Sequence, residues 1–276
     1  MQEDLLRDSV RRYFRPFSPF YRRLLDEAGV GPRDVRRLSD LQRIPMSSAS
    51  SFSGQTDPAR PFEALFRPDE QTLKRFLHRS LMRRVVVEKF LRGDEAAERV
   101  LAEEFKPVHL QLPFAGGPLV GFSMRDLVAM AQAGARMLAV LGLARTDVLV
   151  STLPFDAGLP SWFATYAAQA AGMSAAHLGG GQAVRPSQTA SWMARLGATA
   201  FVTQPGYAEG LLRAAPASAF AALRVLALWG GVGMLGARAR FAELLRASGA
   251  PAAQAAMVLS VPETRVAWGE CPAPAG

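Results

Sequence analysis

From residue 124 onward, the sequence alternates between strand-like and helix-like segments, and this alternation restricts the fold. Short apolar runs are separated by segments with helical periodicity. The strands are predicted at 148–152, 174–178, 200–203, 224–229 and 256–259, and the helices at 124–141, 159–171, 187–196 (with Ser187 as N-cap), 206–214 and 235–247. Because such helices connect parallel strands in βαβ units, we predict an α/β fold with a doubly wound, mostly parallel sheet.

A glycine-containing segment, residues 107–126, precedes this alternating region. An apolar run leads into Gly116 and Gly117, a second extended run follows, and Ser123 with Asp126 resembles a helix-capping pair. Backbone N–H groups at such a loop can approach an anion closely because glycine has no Cβ. A hairpin turn that requires positive φ explains the same glycines. Both interpretations remain open at this point.

The first 105 residues are predicted to be a helical region. Residues 1–45 show a helix, a turn, a short helix and a loop, and residues 46–60 are small and polar. Two further helices are expected between residues 68 and 105, with a break at Gly93. We therefore predict a helical N-terminal region at 1–105 and an α/β sheet subdomain at 106–276.

The composition is typical of a globular protein of the cytoplasm. No apolar run reaches the ~18–20 residues of a membrane span, and the N-terminus has no apolar signal segment. A single cysteine, Cys271, excludes an internal disulfide or a multi-cysteine zinc site. We expect no membrane partner and a cytoplasmic location.

The charge is positive but unevenly distributed. The net charge is +8, and all but three of the 32 basic residues are arginines. Neither an RNA-binding aromatic signature nor zinc-finger spacing is present, so we expect no nucleic-acid partner. Only 19 charged residues lie from Lys106 to the C-terminus, against 37 before it. A homodimer or a protein partner that covers this low-charge C-terminal half is therefore one expectation.

The predicted site lies at the carboxyl ends of the strands, where parallel sheets bind ligands. The turns that end there contain the glycines of 116–118, 179–181 and 230–231, and the segment after Leu259 joins them. Four loops at one edge of a sheet support a site better than any one of them does.

Several segments, in order along the chain, carry a resemblance. They are SPFYRRLLDEAGVGPRDVRRLSDLQRIP near the N-terminus, LPF at 153–155, HLGGG at 177–181, PGY at 205–207, WGG at 229–231 and PETRVAWGECP at 262–272. The series resembles the phenylacetate–CoA ligase-like branch of the adenylate-forming (AMP-binding, acyl-CoA synthetase) superfamily. The resemblance implies activation of a carboxylic acid with ATP and Mg²⁺, followed by transfer of the acyl group to coenzyme A.

The resemblance also implies roles for individual residues. The family's metal-binding and catalytic glutamate aligns with Glu263. The nucleotide-binding positions are Gly116, Gly117, Gly179, Gly180, Gly230, Gly231 and Leu259. The positions of the acyl pocket are Phe155, His177, Tyr207 and Trp229, although a single histidine at a strand end is also consistent with an ordinary satisfied polar group.

The sequence departs from the family pattern at the nucleotide site. The segment 111–118 contains neither a hydroxyl group nor a cation, Leu259 replaces an aromatic residue, and Pro262 replaces a threonine. The family's catalytic lysine comes from a small domain that would follow Gly276. We therefore expect a weak or inactive ligase when the chain is on its own. The alternative is a pseudoenzyme, a non-catalytic module of the same fold that binds an acyl group, a nucleotide or a protein partner.

Overall fold

The computed structural model describes residues 2–31, 33–47, 51, 70–111, 120–156, 158–180, 184–230, 236–261 and 266–270. The chain divides into two compact units, residues 1–125 and 126–276. Among the described residues, no helix has the length and apolar character needed to cross a membrane.

The first unit begins with closely spaced helices. They are α1 (Gln2–Ser9), a π-helical turn (Val10–Phe14), α2 (Arg15–Phe17) and α3 (Pro19–Glu27), and a 3₁₀ helix follows at Leu38–Arg43. The side chain of Ser18 caps α3 by accepting a hydrogen bond from the Tyr21 N–H, and Pro19 occupies the first helical position. Val10, Leu25, Val30 and Val35 form the small core of this part.

Three more helices and two paired strands are described in the rest of the first unit. The helices are α4 (Glu70–Phe76), α5 (Arg79–Arg92) and α6 (Asp94–Phe105), and α5 packs against α6. Gly93 separates these two helices with a φ of +86°, as its position in the sequence predicts. Strands β1 (His109–Gln111) and β2 (Val120–Phe122) pair antiparallel, with His109 opposite Phe122.

The second unit is a six-stranded sheet with helices between its strands. The strands are β3 (Val148–Ser151), β4 (Ser174–His177), β5 (Ala200–Thr203), β6 (Val225–Trp229), β7 (Gln254–Val261) and β8 (Val266–Gly269). The helices are α7 (Met124–Val140, which begins in the first unit), α8 (Leu159–Ala171), α9 (Pro186–Leu196), α10 (Pro205–Ala214) and α11 (Ala237–Ala247). The strand order is β4-β3-β5-β6-β7-β8, and only the β7–β8 pair is antiparallel. The predicted α/β class with a mostly parallel sheet is confirmed.

Close packing holds α7 and α8 together inside this unit. A Cβ added at Gly134 would lie 2.4 Å from the Cβ of Ala167, so the two helices approach closely where neither has a large side chain. Phe163, also on α8, and the central strand residues Phe201 and Leu226 are fully buried. Removal of this apolar surface from water supplies the main stabilisation of the unit.

Most predicted boundaries in this unit differ from the observed ones by one or two residues. Helix α9 begins at Pro186 with Arg185 as N-cap, not with Ser187, because proline favours the first helical position. Helix α11 begins at Ala237, after Gly236 with a φ of +80°, whereas its predicted start at Leu235 lies outside the described residues. Strand β7 runs over 254–261 instead of 256–259, since it pairs with β6 on one side and with β8 on the other.

Candidate functional site

The carboxyl ends of four parallel strands lie side by side. Ser151 at the end of β3 is in register with His177 of β4 and Val202 of β5, and Thr203 is in register with Leu228 of β6. The residues that follow these strands therefore share one edge of the sheet. Gly179, Gly180 and Gly230 of the predicted turns lie at this edge.

His177 combines burial with an unsatisfied polar atom. Its Nδ1 atom is buried and has no hydrogen-bond partner among the described residues. Burial lowers the pKa of this imidazole below its ordinary value, so the neutral form predominates at pH 7. The ring of Phe155 lies edge-on to His177, with 5.9 Å between the ring centroids, and Phe155 is 54% exposed. A neutral polar atom thus lies beside an accessible aromatic surface.

Two threonine hydroxyls form a buried pair at the same edge. Thr152 follows β3 and Thr203 ends β5, and their Oγ1 atoms are 2.6 Å apart. Both side chains are buried. Sequence reasoning did not select these residues, although a threonine at the end of an apolar strand at this edge was a usable signal. Because each hydroxyl already bonds to the other, the pair fixes the ends of β3 and β5.

Trp229 and Gly230 end strand β6. The Trp229 Nε1–H donates a 2.8 Å hydrogen bond to Ser260 Oγ, and its ring packs edge-on against Phe163. The Gly230 N–H donates to the carbonyl of Val258. These contacts hold the indole as a fixed wall beside the end of β6, with its hydrogen-bonding group already in use.

Gly180 permits a close approach between the turns after β4 and β3. A Cβ built at Gly180 would lie 2.9 Å from the Cβ of Pro154, which is closer than real Cβ atoms approach. At Gly230 the corresponding Cβ would lie 3.3 Å from Cγ of Pro205, a milder conflict. The first glycine is therefore required by packing alone, whatever else it does.

Tyr207 and Leu259 do not lie at the ends of the four parallel strands. The Tyr207 hydroxyl is 2.7 Å from Thr189 Oγ1 and donates to the carbonyl of Val184, so it connects α10 to α9. Leu259 lies opposite Trp268 in the β7–β8 pair and is half-buried. Their assignment to an acyl pocket and a nucleotide site stays a prediction.

Other predicted site residues lie outside the part of the chain that the structure describes. They are Gly116, Gly117, Gly231 and Glu263. Within the described ranges, no group of three or more histidine, cysteine, aspartate or glutamate side chains is placed to hold a metal ion. Among the described residues of the edge, the Phe155 ring and the Nδ1 atom of His177 place an apolar surface beside one polar atom.

Comparison with known proteins gives one significant relative in sequence. The chain is 30% identical over 143 residues to the phenylacetate–coenzyme A ligase of Thermus thermophilus, and the match covers 51% of this chain and 24% of that protein. No family model matches the chain.

Solved structures extend the likeness to almost the whole chain. An open conformation of 2-hydroxyisobutyryl-CoA ligase in complex with 2-HIB-AMP and CoA matches with a TM-score of 0.71 and 20% identity, over 96% of this chain and 54% of that one. The same ligase in its postadenylation state, in complex with 2-HIB-AMP, matches with a TM-score of 0.69 over 94% of this chain and 48% of that one. The chain thus spans about half the length of these structures and a quarter of the sequence relative.

The sequence match and the shared fold agree with the resemblance that the motif series indicates. Over about half of its length the chain is similar in sequence to a phenylacetate–CoA ligase, and it shares its fold with a solved CoA ligase.

Proposed function

We propose that this chain binds a carboxylic acid and an adenine nucleotide at the carboxyl edge of β3, β4, β5 and β6, as the substrate-binding part of an acid–CoA ligase. The relatives support this proposal because one is a phenylacetate–CoA ligase and the other is a CoA ligase with an acyl-AMP and CoA bound. The observation that carries it is the unpartnered Nδ1 of His177 beside the exposed ring of Phe155. Such an atom needs a partner, and a bound acid with an apolar body can supply one.

The roles follow the order of the strands. His177 and Phe155, at the ends of β4 and β3, would contact the acid, which is either an aryl or a fatty acid. Gly230 at the end of β6, with Trp229 as a wall and Leu259 on β7, would lie along the adenine, because the glycine backbone allows close approach. Gly179 and Gly180 lie in the turn after β4 at this edge, Tyr207 would support the acyl side, and Gly231 stays a predicted nucleotide-binding position outside the described residues.

The described residues of this edge account for some of the proposed ligands better than for others. The described residues suit an acid and an adenine, whereas the proposed phosphate contacts depend on Gly116 and Gly117 and the Mg²⁺ contact on Glu263. ATP would supply the adenylate group that activates the carboxylate, and coenzyme A would accept the acyl group. Since 111–118 offers neither hydroxyl nor cation to the phosphates, we expect weak phosphate binding and little turnover by this chain alone.

A second candidate function is a non-catalytic binding module of this fold. Leu259 and Pro262, which replace an aromatic residue and a threonine, favour it. In that case the acid or the nucleotide binds without reaction, and a partner on the low-charge C-terminal half becomes the relevant ligand. We also propose the cytoplasm as the location, from the single cysteine and the composition.

Tryptophan fluorescence can test where a nucleotide binds. Titration with AMP should change the emission of the wild-type chain, and Trp229→Phe should remove most of that change, because the indole lies beside Gly230. Trp192→Phe is the control for loss of one tryptophan, since Trp192 is a 40% exposed residue within α9. A signal that survives in Trp229→Phe and disappears in Trp192→Phe would place the nucleotide elsewhere.

A further inference from the structure

Helix α5 exposes an unusual amount of apolar surface. Five large apolar residues are exposed along it: Met82 (39%), Val86 (59%), Val87 (51%), Phe90 (88%) and Leu91 (68%). They recur at the three- and four-residue spacing that places side chains on one side of a helix. We call this set the α5 patch.

Among the described elements, α6 packs extensively on α5, and the α5 patch points away from it. The half-buried residues of α5 are Leu81, Val85 and Glu88, and these lie on the opposite side of the helix at 100° per residue. The exposed area of the patch is roughly 500 Å², which is at the upper end of what monomeric proteins leave uncovered. A patch of this size is comparable to the largest patch of a typical monomer, and such patches are often functional.

Charges at the two ends of the patch are complementary. Arg79 and Arg83 lie on the same side of α5 as Val86 and Phe90, and neither forms an ion pair with an acidic side chain in the described ranges. Beyond the other end of α5, at the start of α6, Glu95 is exposed and likewise forms no ion pair there. One end of the patch is thus basic and the other acidic.

We propose that the α5 patch binds the α5 patch of a second copy of this chain, with the two helices antiparallel about a two-fold axis at Val86 and Val87. Arg79 and Glu95 are almost equally distant in sequence from that axis. The pairing brings Arg79, at the start of α5 in one copy, toward the junction of α5 and α6 in the other copy, where Glu95 lies in the first turn of α6, on both sides of the axis. A parallel pairing would bring the two basic ends together.

The same arrangement gives Arg83 a partner. It places the Arg83 guanidinium near the Phe90 ring of the second copy, where a cation–π contact is favourable. Within this chain Arg75 already lies over the ring of Phe76, at 5.1 Å from the centroid. The contact would bury roughly 1,000 Å² in total, near the lower limit of specific interfaces, so we infer a dimer with micromolar affinity. This inference does not depend on the proposed ligase function.

Sedimentation equilibrium of the full chain tests the proposal. The wild type should show a monomer–dimer equilibrium, and Phe90→Glu and Val87→Glu should each raise the dissociation constant at least about 30-fold, as expected at the centre of an interface. Val140→Glu is the matched control, because Val140 is 51% exposed on α7, like Val87 on α5. A wild type that stays monomeric up to about 100 μM, or an equal effect of the control, would overturn the proposal.

A charge exchange tests the antiparallel geometry. Arg79→Glu should weaken the dimer about fivefold or more, and adding Glu95→Arg should restore it, since the opposed pair is then reversed. Failure of the double variant to recover would overturn the pairing. Binding of a monomeric wild type to phosphatidylcholine–phosphatidylglycerol vesicles, lost in Phe90→Glu, would show that the patch serves a membrane surface instead. Circular dichroism confirms that each variant is folded.

Discussion

The guanidinium of Arg224 lies 2.7 Å from the carboxylate of Asp147, at the edge of the sheet opposite the candidate site. Asp147 directly precedes β3 and Arg224 directly precedes β6, with β5 between them. Thr199, which precedes β5, accepts a hydrogen bond from the Val148 N–H. Asp147, Thr199 and Arg224 thus connect the starts of β3, β5 and β6. The relative position of the carboxyl ends of these strands depends on this connection.

Asp147→Ala should lower the free energy of unfolding by about 2–3 kcal/mol at pH 7, because removal of the buried carboxylate leaves its hydrogen-bond donors without an acceptor. The donors are the Ala144 N–H, the Thr199 hydroxyl and the Arg224 guanidinium, and Arg224 is more than half exposed, so water compensates part of its loss. Urea denaturation measures the change. Glu243→Ala removes an exposed carboxylate as control, and equal effects of the two variants would contradict the role of Asp147.

The contribution of Asp147 should disappear in acid. Burial alone would raise its pKa, but the Ala144 N–H, Thr199 and the Arg224 cation together hold the pKa below its ordinary value of 3.8. A carboxyl group with a lowered folded pKa stabilises fully above the unfolded value and loses that effect as pH falls through the folded value. The stability difference between wild type and Asp147→Asn should therefore be constant from pH 7 to about 5 and smaller at pH 2. A difference that grows below pH 4 would refute this account.

Three glycine-to-alanine substitutions should change stability differently, because packing decides the effect at two positions and helix propensity decides it at the third. Gly180→Ala should destabilise by about 1–3 kcal/mol, since the new methyl group meets the Pro154 ring and backbone. Gly230→Ala should cost less, because Pro205 can yield by a few tenths of an ångström. Gly210 lies inside α10 with open space around its Cβ direction, so Gly210→Ala should stabilise by about 0.5–1 kcal/mol. Thermal unfolding ranks the three variants, and a different order would contradict the packing described for the turn after β4.

Elements with strong local signals were predictable to the residue. Helix α8 occupies the predicted 159–171, because Pro160 suits its first turn and Gly172 adopts the left-handed conformation after its end. Strand β5 occupies the predicted 200–203, a run that is buried throughout. The strand β8 was not predicted, since its pairing with β7 depends on contacts that the local sequence does not reveal.

The sequence predicted which edge of the sheet carries the candidate site residues, but it did not predict the contacts between them. Strand alternation placed Gly180, His177 and Gly230 at the carboxyl ends, where the structure has them. The sequence could not show that Thr152 and Thr203 bond to each other, because that contact joins residues 51 positions apart. The unpartnered Nδ1 of His177 likewise depends on burial by the folded chain.

Glu263→Gln should abolish any Mg²⁺-dependent part of nucleotide binding, because the neutral amide cannot replace a carboxylate as a hard ligand for the ion. ATP affinity with and without Mg²⁺ should become equal in this variant. Glu243→Gln provides the control for loss of one negative charge. If Mg²⁺ still strengthens ATP binding in Glu263→Gln, the metal carboxylate lies elsewhere.

The central claim is that the carboxyl edge of the sheet still binds the substrates of an acid–CoA ligase. Calorimetric titration of the purified chain with ATP and Mg²⁺, alone and with a panel of aryl and fatty acids, tests it directly. We predict measurable binding of at least one acid, with a dissociation constant raised about tenfold or more in His177→Leu, because that variant removes the unpartnered Nδ1. No heat with any acid or nucleotide at millimolar concentration would contradict the account.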